Sequence, residues 1–281
     1  MNAELSMRAT KPRKRGITMV IDPGLPTGLF SDVVSSHGQY IDLIKFGWGT
    51  ALVTTDLARK VEVLREANVG FYFGGTLFEH YLWTGRLSEF VELVRETGAT
   101  CVEVSNGTIP LPQHAKAGYV SMLAAEFLVF SEVGFKDPAR CAELTPAGWV
   151  EAISEDLAAG AALVVTETRE SGKAGIAGPD GRLRQEVMDA VLAEVDPAKL
   201  MFEAPTKELQ VELIQSVGPD VNLGNIASTD ILSLETLRLG LRGDTLMELT
   251  PASGAAVGEW LEESSSADRG KVGLPVAASV A

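Results

Sequence analysis

The sequence predicts an α/β protein of the (β/α)8 TIM barrel class, and three observations carry that reading. Short apolar runs alternate with helical-period segments eight times over about 230 residues. The runs are continuous rather than alternating, as expected for parallel strands covered on both faces. Ionisable residues collect where the runs end, which is where such a barrel carries its chemistry.

The elements follow in order. ITMVID (17–22) is the first strand, and LFSDVVSSHG (29–38) is a short helix stopped by Gly38. YIDLIKFG (40–47) is the second strand; a helix over 56–69 follows, with Asp56 as its N-cap. GFYFGG (70–75) is the third strand, the Gly74-Gly75-Thr76 stretch reads as a loop, and LSEFVELVRETG (87–98) is a helix closed by Gly98. TCVEVSNG (100–107) precedes a weaker helix over 114–126, and FLVFSEVG (127–134) is the fifth strand. Thr145 and Pro146 open the next helix. The remaining strands are 162–167, 200–205 and 221–226, with helices over 182–195, 206–218 and 231–242. An open doubly wound sheet is the alternative, weakened because no GxGxxG follows the first strand.

The domain reads as residues 16–252. Residues 1–15 form an N-terminal arm ending in the basic run 11–15, either solvated or in contact with a neighbouring subunit or an anionic ligand. Residues 253–281, rich in Ser, Ala and Gly, read as a mobile tail with one short helix near 259–263.

Lys and Arg number 24 and Asp and Glu 38, a net charge of −14 among 281 residues. That balance excludes nucleic acid and anionic membrane as expected partners. Two cysteines, Cys101 and Cys141, exclude a disulfide framework, and no apolar run is long enough to span a bilayer. No signal core opens the chain, so a cytoplasmic protein is expected.

The strand ends supply the candidate site. Asp22 ends the first strand and Lys45 lies near the end of the second; Glu103, Ser105 and Asn106 lie on the fourth. Glu132 and Lys136 belong to the fifth, Glu167 and Arg169 to the sixth, Glu203 to the seventh, and Asn225 to the eighth. A charge in an apolar strand is costly unless paired or metal-bound. The four glutamates therefore either pair with Lys45, Lys136 and Arg169, or hold Mg²⁺, which suits carboxylate oxygens. The cations suit a phosphate or carboxylate substrate. The loop from Arg169 through Ser171 to Lys173 offers donors for a phosphate, and Gly224 offers a close backbone approach. The three histidines have no ligand spacing, and no GxSxG elbow is present.

KPRKRGITMVIDPGL, YIDLIKFGWGT, GGTLFE, VEVSNGTIPLP, SEVGFKD, RESGKAGI, FEAPTKELQ, VNLGNI and LETLRLGLRGDT resemble, in order, the phosphosulfolactate synthase family. Plant heat-stress-associated proteins form a distant branch, and FGWGT with GGTLFE is similar to the synthase branch. The resemblance implies a cytoplasmic, Mg²⁺-dependent barrel lyase that adds sulfite to phosphoenolpyruvate to give (2R)-2-O-phospho-3-sulfolactate, the first step of one route to coenzyme M. It also implies a homo-oligomer, the trimer included. Lys136 matches the family's proposed general acid, with a lowered pKa expected among cations, and Lys45 and Arg169 would hold anionic groups. Glu103, Glu132, Glu167 and Glu203 form the pool of metal ligands; Ser105, Asn106, Ser171, Gly224 and Asn225 would contact substrate. Four positions depart from the family pattern: Pro23 replaces a lysine, Asn106 an aspartate, Phe135 a lysine, and Thr168 a small residue. The departures leave open a different nucleophile or enol phosphate, and the plant branch leaves open a non-catalytic stress-related role.

Overall fold

The computed structural model describes residues 8–250. Eight parallel strands form one sheet in the order β3-β2-β1-β8-β7-β6-β5-β4. They are β1 Thr18–Asp22, β2 Leu43–Phe46, β3 Gly70–Phe73, β4 Val102–Val104, β5 Val129–Val133, β6 Leu163–Thr166, β7 Leu200–Glu203 and β8 Leu223–Ile226. The ring closes between β3 and β4 without a regular ladder. There, Thr100 N donates to Phe71 O at 2.8 Å and Phe71 N donates to the Thr100 hydroxyl at 3.0 Å. The protein is thus a nearly closed (β/α)8 barrel.

Helices cover the outside: α1 Thr27–His37, α2 Leu57–Glu66, α3 Gly75–Trp83, α4 Leu87–Thr97, α5 Gln113–Ala124, α6 Pro138–Glu143, α7 Pro146–Ala158, α8 Gln185–Glu194, α9 Lys207–Val217, α10 Ile231–Arg238 and α11 Leu246–Leu249. Three of these, α3, α6 and α11, are absent from the sequence expectation. The Gly74-Gly75 pair argues against helix, since glycine loses most conformational freedom on ordering. Glycine is nonetheless required there, because a Cβ on Gly75 would lie 2.5 Å from Ser105 Cβ. The α6 helix starts on Asp137, whose carboxylate accepts from Ala139 N and Arg140 N, with proline at its first position.

Side chains alternate across each strand, so residues i and i+2 share a face. The inward face carries the site. Its lower layer is apolar: Met19, Leu43, Tyr72, Cys101, Phe130, Leu163, Val165 and Met201 form one buried cluster. Two residues further on, Leu43 gives way to Lys45, Cys101 to Glu103, Phe130 to Glu132, Val165 to Glu167 and Met201 to Glu203. The second, larger core lies between the outward faces and the helices.

The basic arm is tied down in part over its described residues, while Lys14 and Arg15 stay exposed. Arg8 pairs with Glu235, Lys11 donates to Gly38 O and Ile41 O, and Arg13 pairs with Asp42 at 3.1 Å. These cations are occupied by the chain's own barrel. The tail and its helix near 259–263 lie outside the described residues. Among the described residues no helix is long and apolar enough to cross a membrane.

Candidate active site at the carboxyl mouth of the barrel

The upper inward layer opens into a cavity of about 200 Å³. Lys45, Glu103, Glu132, Lys136, Glu167, Arg169, Glu203 and Asn225 all border it. Its charges are interleaved. Lys45 Nζ donates to Glu203 Oε1 at 2.7 Å and lies 3.9 Å from Glu103 Oε2. Lys136 Nζ donates to Glu167 Oε2 at 2.7 Å and to Glu132 Oε1 at 3.0 Å. Each ammonium is thus held between two carboxylates from different strands. Arg169 borders the cavity with Glu170 4.0 Å away, its one ion pair among the described residues.

The local backbone explains these positions. Glu203 Oε2 accepts from Thr168 N at 2.9 Å, tying β7 to the loop after β6. That loop folds back tightly: Thr168 pairs with Gly175, and Ile176 N donates to Glu167 O at 2.9 Å. A side chain on Gly175, at φ +93°, would run into Glu167 O. Gly75 N, at the start of α3, donates to Glu103 Oε1 at 2.5 Å and closes the β3–β4 seam at the mouth.

Four carboxylates against two ammonium groups leave an excess of negative charge in a buried space, and the titration of the group reflects it. Burial pushes Glu103 up to about 7; Lys45 works against this, while Glu132 and Glu203 add to it. Burial, then Glu132 and Glu203, hold Glu167 well above the ordinary carboxylate range. Burial opposes charge on Glu132 as well, but Lys136 and Lys45 outweigh it and hold its carboxyl at about 2. Burial would lower Lys136, yet Glu132, Glu167 and Glu203 raise it well above the usual lysine value. The expectation of a lowered Lys136 pKa is therefore corrected: its immediate neighbours are carboxylates, not cations.

A stability prediction follows from Glu103. Its folded-state pKa, about 7, lies above its unfolded value, so the native form binds the extra proton and its contribution to stability is lost as pH rises from 4.5 to 7. Glu103→Gln is expected to melt higher than wild type at pH 8 without divalent metal, and the gain should vanish near pH 4.5. Equal melting points at pH 8 would contradict the charge excess.

Among the described residues no group of three or more His, Cys, Asp or Glu side chains is arranged to hold a metal ion alone. The open atom is Glu103 Oε2, buried and without a hydrogen-bond partner. Such a donor fits Mg²⁺ held by one or two carboxylates together with the oxygens of an anionic substrate.

Not every expected residue reaches the cavity. Gly224 is packed from within the barrel, where a Cβ would lie 2.8 Å from Met19 Cε; it gives no open backbone to a ligand. Asn106 turns outward and donates to Leu111 O at 2.9 Å, bordering a separate groove with Phe135. Phe135 itself stacks under Arg140, 4.1 Å from its guanidinium carbon to the ring centroid. Ser171 is exposed and does not border the cavity. Ser105 is buried against the cluster, 3.1 Å from Glu132 Oε1. Two of the departures from the family pattern, at 106 and 135, therefore do not alter the cavity's charge.

Glu79 is the positioning residue absent from the sequence reading. It is 2% exposed and has no cationic partner among the described residues. Its Oε1 accepts from the Ser105 hydroxyl, and its Oε2 from Thr108 N at 2.9 Å and Ile109 N at 2.8 Å. The loop so held includes Gly107, whose carbonyl accepts from Lys136 N at 3.1 Å. Its place in GGTLFE, four residues beyond Gly75 on one helix face, was the available signal. Glu79→Gln is expected to lower kcat about tenfold with KM within twofold, since one charge-assisted hydrogen bond weakens. An unchanged kcat would remove this positioning role.

Fold and mouth together define a (β/α)8 barrel whose carboxyl mouth gathers buried carboxyls and ammonium groups. The family model for (2R)-phospho-3-sulfolactate synthase (ComA) matches residues 6–244. A phosphosulfolactate synthase of Bacillus subtilis (strain 168) is 45% identical over 243 residues, 86% of this chain and 96% of that protein. One from Methanothermobacter thermautotrophicus is 42% identical over 243 residues, 85% and 94% of the two chains. The carboxyl transferase domain from Rhizobium etli pyruvate carboxylase shares the fold alone, with a TM-score of 0.55 at 12% identity over 77% of this chain and 40% of that one. The chain belongs to the phosphosulfolactate synthase family.

Proposed function

We propose that this enzyme adds sulfite to phosphoenolpyruvate to give (2R)-2-O-phospho-3-sulfolactate. Family membership supports the product class, and one observation supports the chemistry at this mouth: two ammonium groups and Arg169 face a single cavity lined by buried carboxyls. The sulfur lone pair bonds to C3, the C2=C3 pair moves onto C2 and the carboxylate, and C2 then takes a proton. The bond to phosphate oxygen stays intact throughout.

Lys45 and Arg169 hold the two anionic ends of the substrate. Lys136 gives its proton to C2, and Glu167, 2.7 Å away with its carboxyl held above the ordinary range by burial, resupplies it. Glu103, through its open Oε2, and Glu203 would hold Mg²⁺, which supplies charge neutralisation for the carboxylate as it becomes enediolate-like. The purified chain, incubated with phosphoenolpyruvate and sulfite with and without EDTA, should give a phosphosulfolactate mass only when Mg²⁺ is present. A folded protein that binds phosphoenolpyruvate and yields no such mass would reject the reaction.

A further inference from the structure

Lys116 of α5 is fully buried in the barrel wall and does not border the charged cavity. Its Nζ pairs with Asp156 of α7 at 2.8 Å. The Asp156 carboxylate also accepts from the Ser131 hydroxyl at 2.7 Å and from Gln113 Nε2 at 2.9 Å. Burial pushes the Lys116 pKa down, and Asp156 works against it. A buried pair of this kind adds little net stability, because removing both charges from water offsets their attraction. The ammonium has a further partner, however: Nζ donates to the main-chain oxygen of Glu132 at 2.8 Å.

The strand register shows why that oxygen needs a donor. Val102 N donates to Leu128 O at 2.9 Å, whereas Val129 O and Val133 O each accept from β6 or the residue after it at 2.8 Å. The carbonyls of 128, 130 and 132 therefore face β4. Donors along a parallel ladder recur every second residue, so Glu132 O is due the N–H of Asn106. The ladder stops short of that, with Val104 opposite Ser131 as its last pair. Asn106 has left the strand, and Lys116 takes its place between β4 and β5. The chain is then free to turn at Gly107 over the charged pair, where a Cβ would lie 3.4 Å from both Glu132 Oε1 and Lys136 Cγ.

We propose that Lys116 is a positioning residue for the reaction, fixing the end of β5 from behind and with it the general acid. The inference rests on the proposed sulfite addition. Without this donor Glu132 O is buried and unpaired, and the end of β5 shifts to find a partner. Glu132 and Lys136 shift with it, since both follow on that segment and Glu132 Oε1 holds Lys136 Nζ at 3.0 Å.

Steady-state kinetics of the full chain with Mg²⁺, phosphoenolpyruvate and sulfite, paired with thermal melting, test this. Asp156→Asn breaks the ion pair but leaves Lys116 its N–H donors, charged or neutral, so Glu132 O keeps its partner. It is expected to melt lower than wild type with kcat within twofold. Lys116→Met combined with Asp156→Leu removes both charges and fills the space with apolar side chains. It is expected to melt near wild type or above, yet to lose about tenfold to a hundredfold in kcat, the effect of a displacement of about 1 Å at a reacting group. KM for phosphoenolpyruvate should stay within twofold, because Lys45 and Arg169 are untouched. A purely structural Lys116 predicts the reverse: kcat falling with the melting point in Asp156→Asn, or surviving in the double variant. Either result overturns the inference alone, the first even where the double variant does not fold. Absence of product from the wild-type chain would overturn the reaction itself.

Discussion

Replacing Lys136 by alanine is expected to lower turnover of phosphoenolpyruvate and sulfite by roughly 10²–10⁴-fold, the usual contribution of a positioned general acid. The fold should survive. Lys136 is 21% exposed at its side chain, and of the two carboxyls it leaves behind Glu167 is already held well above the ordinary range. Lys136→Arg separates charge from proton delivery. It restores the positive charge between Glu132 and Glu167, but a guanidinium does not release its proton in this range. It should therefore stay nearly as slow as the alanine variant while melting like wild type. Turnover near wild type in either variant would remove Lys136 from the proton transfer and leave it a structural cation.

Lys45→Ala is expected to be the most destabilising single change at the mouth. Lys45 is 4% exposed and stands between Glu203 and Glu103, so its loss leaves two buried carboxylates without their cation. Breaking a buried pair from one side costs about 3–5 kcal/mol. The deficit has a predictable pH dependence. Glu103 titrates at about 7 even with Lys45 present, and without it the carboxyl protonates more readily still. As pH falls from 8 toward 5 the excess charge is neutralised and the deficit should shrink. Urea unfolding at pH 8 and pH 5.5 reads this directly; a deficit independent of pH would mean that packing, not charge, holds Lys45 in place. The opposite sign expected for Glu103→Gln makes the pair a test of one idea: the ligand-free cavity has too much negative charge, and removing a cation harms what removing an anion helps.

Much of this architecture is legible in the residues themselves. Continuous apolar runs such as ALVV (162–165) and LMF (200–202) suit a covered parallel sheet, and the ionisable residue near each run's end marks the mouth. The i, i+2 step from Leu43 to Lys45 or Met201 to Glu203 carries both the apolar plug and the charged layer above it. Which lysine meets which glutamate is not local information. Lys45 on β2 finds Glu203 on β7 across the ring, 158 residues away, and Arg8 finds Glu235 across 227. The direction of a loop side chain is equally hidden: Asn106 and Ser105 are neighbours, yet one faces the groove and the other the cluster. Gly224 looked like an opening because glycine permits close approach; only the packing of Met19 and Met201 shows what approaches it. Helix α3 was hidden by the two glycines that let its first turn fit beneath Glu103 and Ser105.

The most direct measurement is the reaction of the full chain with phosphoenolpyruvate and sulfite in D₂O with Mg²⁺, followed by ³¹P and ¹H NMR. Addition across the double bond inside this cavity, with protonation from one face, predicts a single phosphorylated sulfonate carrying one deuterium at C2, none at C3, and no inorganic phosphate. Release of phosphate, deuterium at C3, or the absence of a carbon–sulfur product would contradict the assignment of this mouth to sulfite addition.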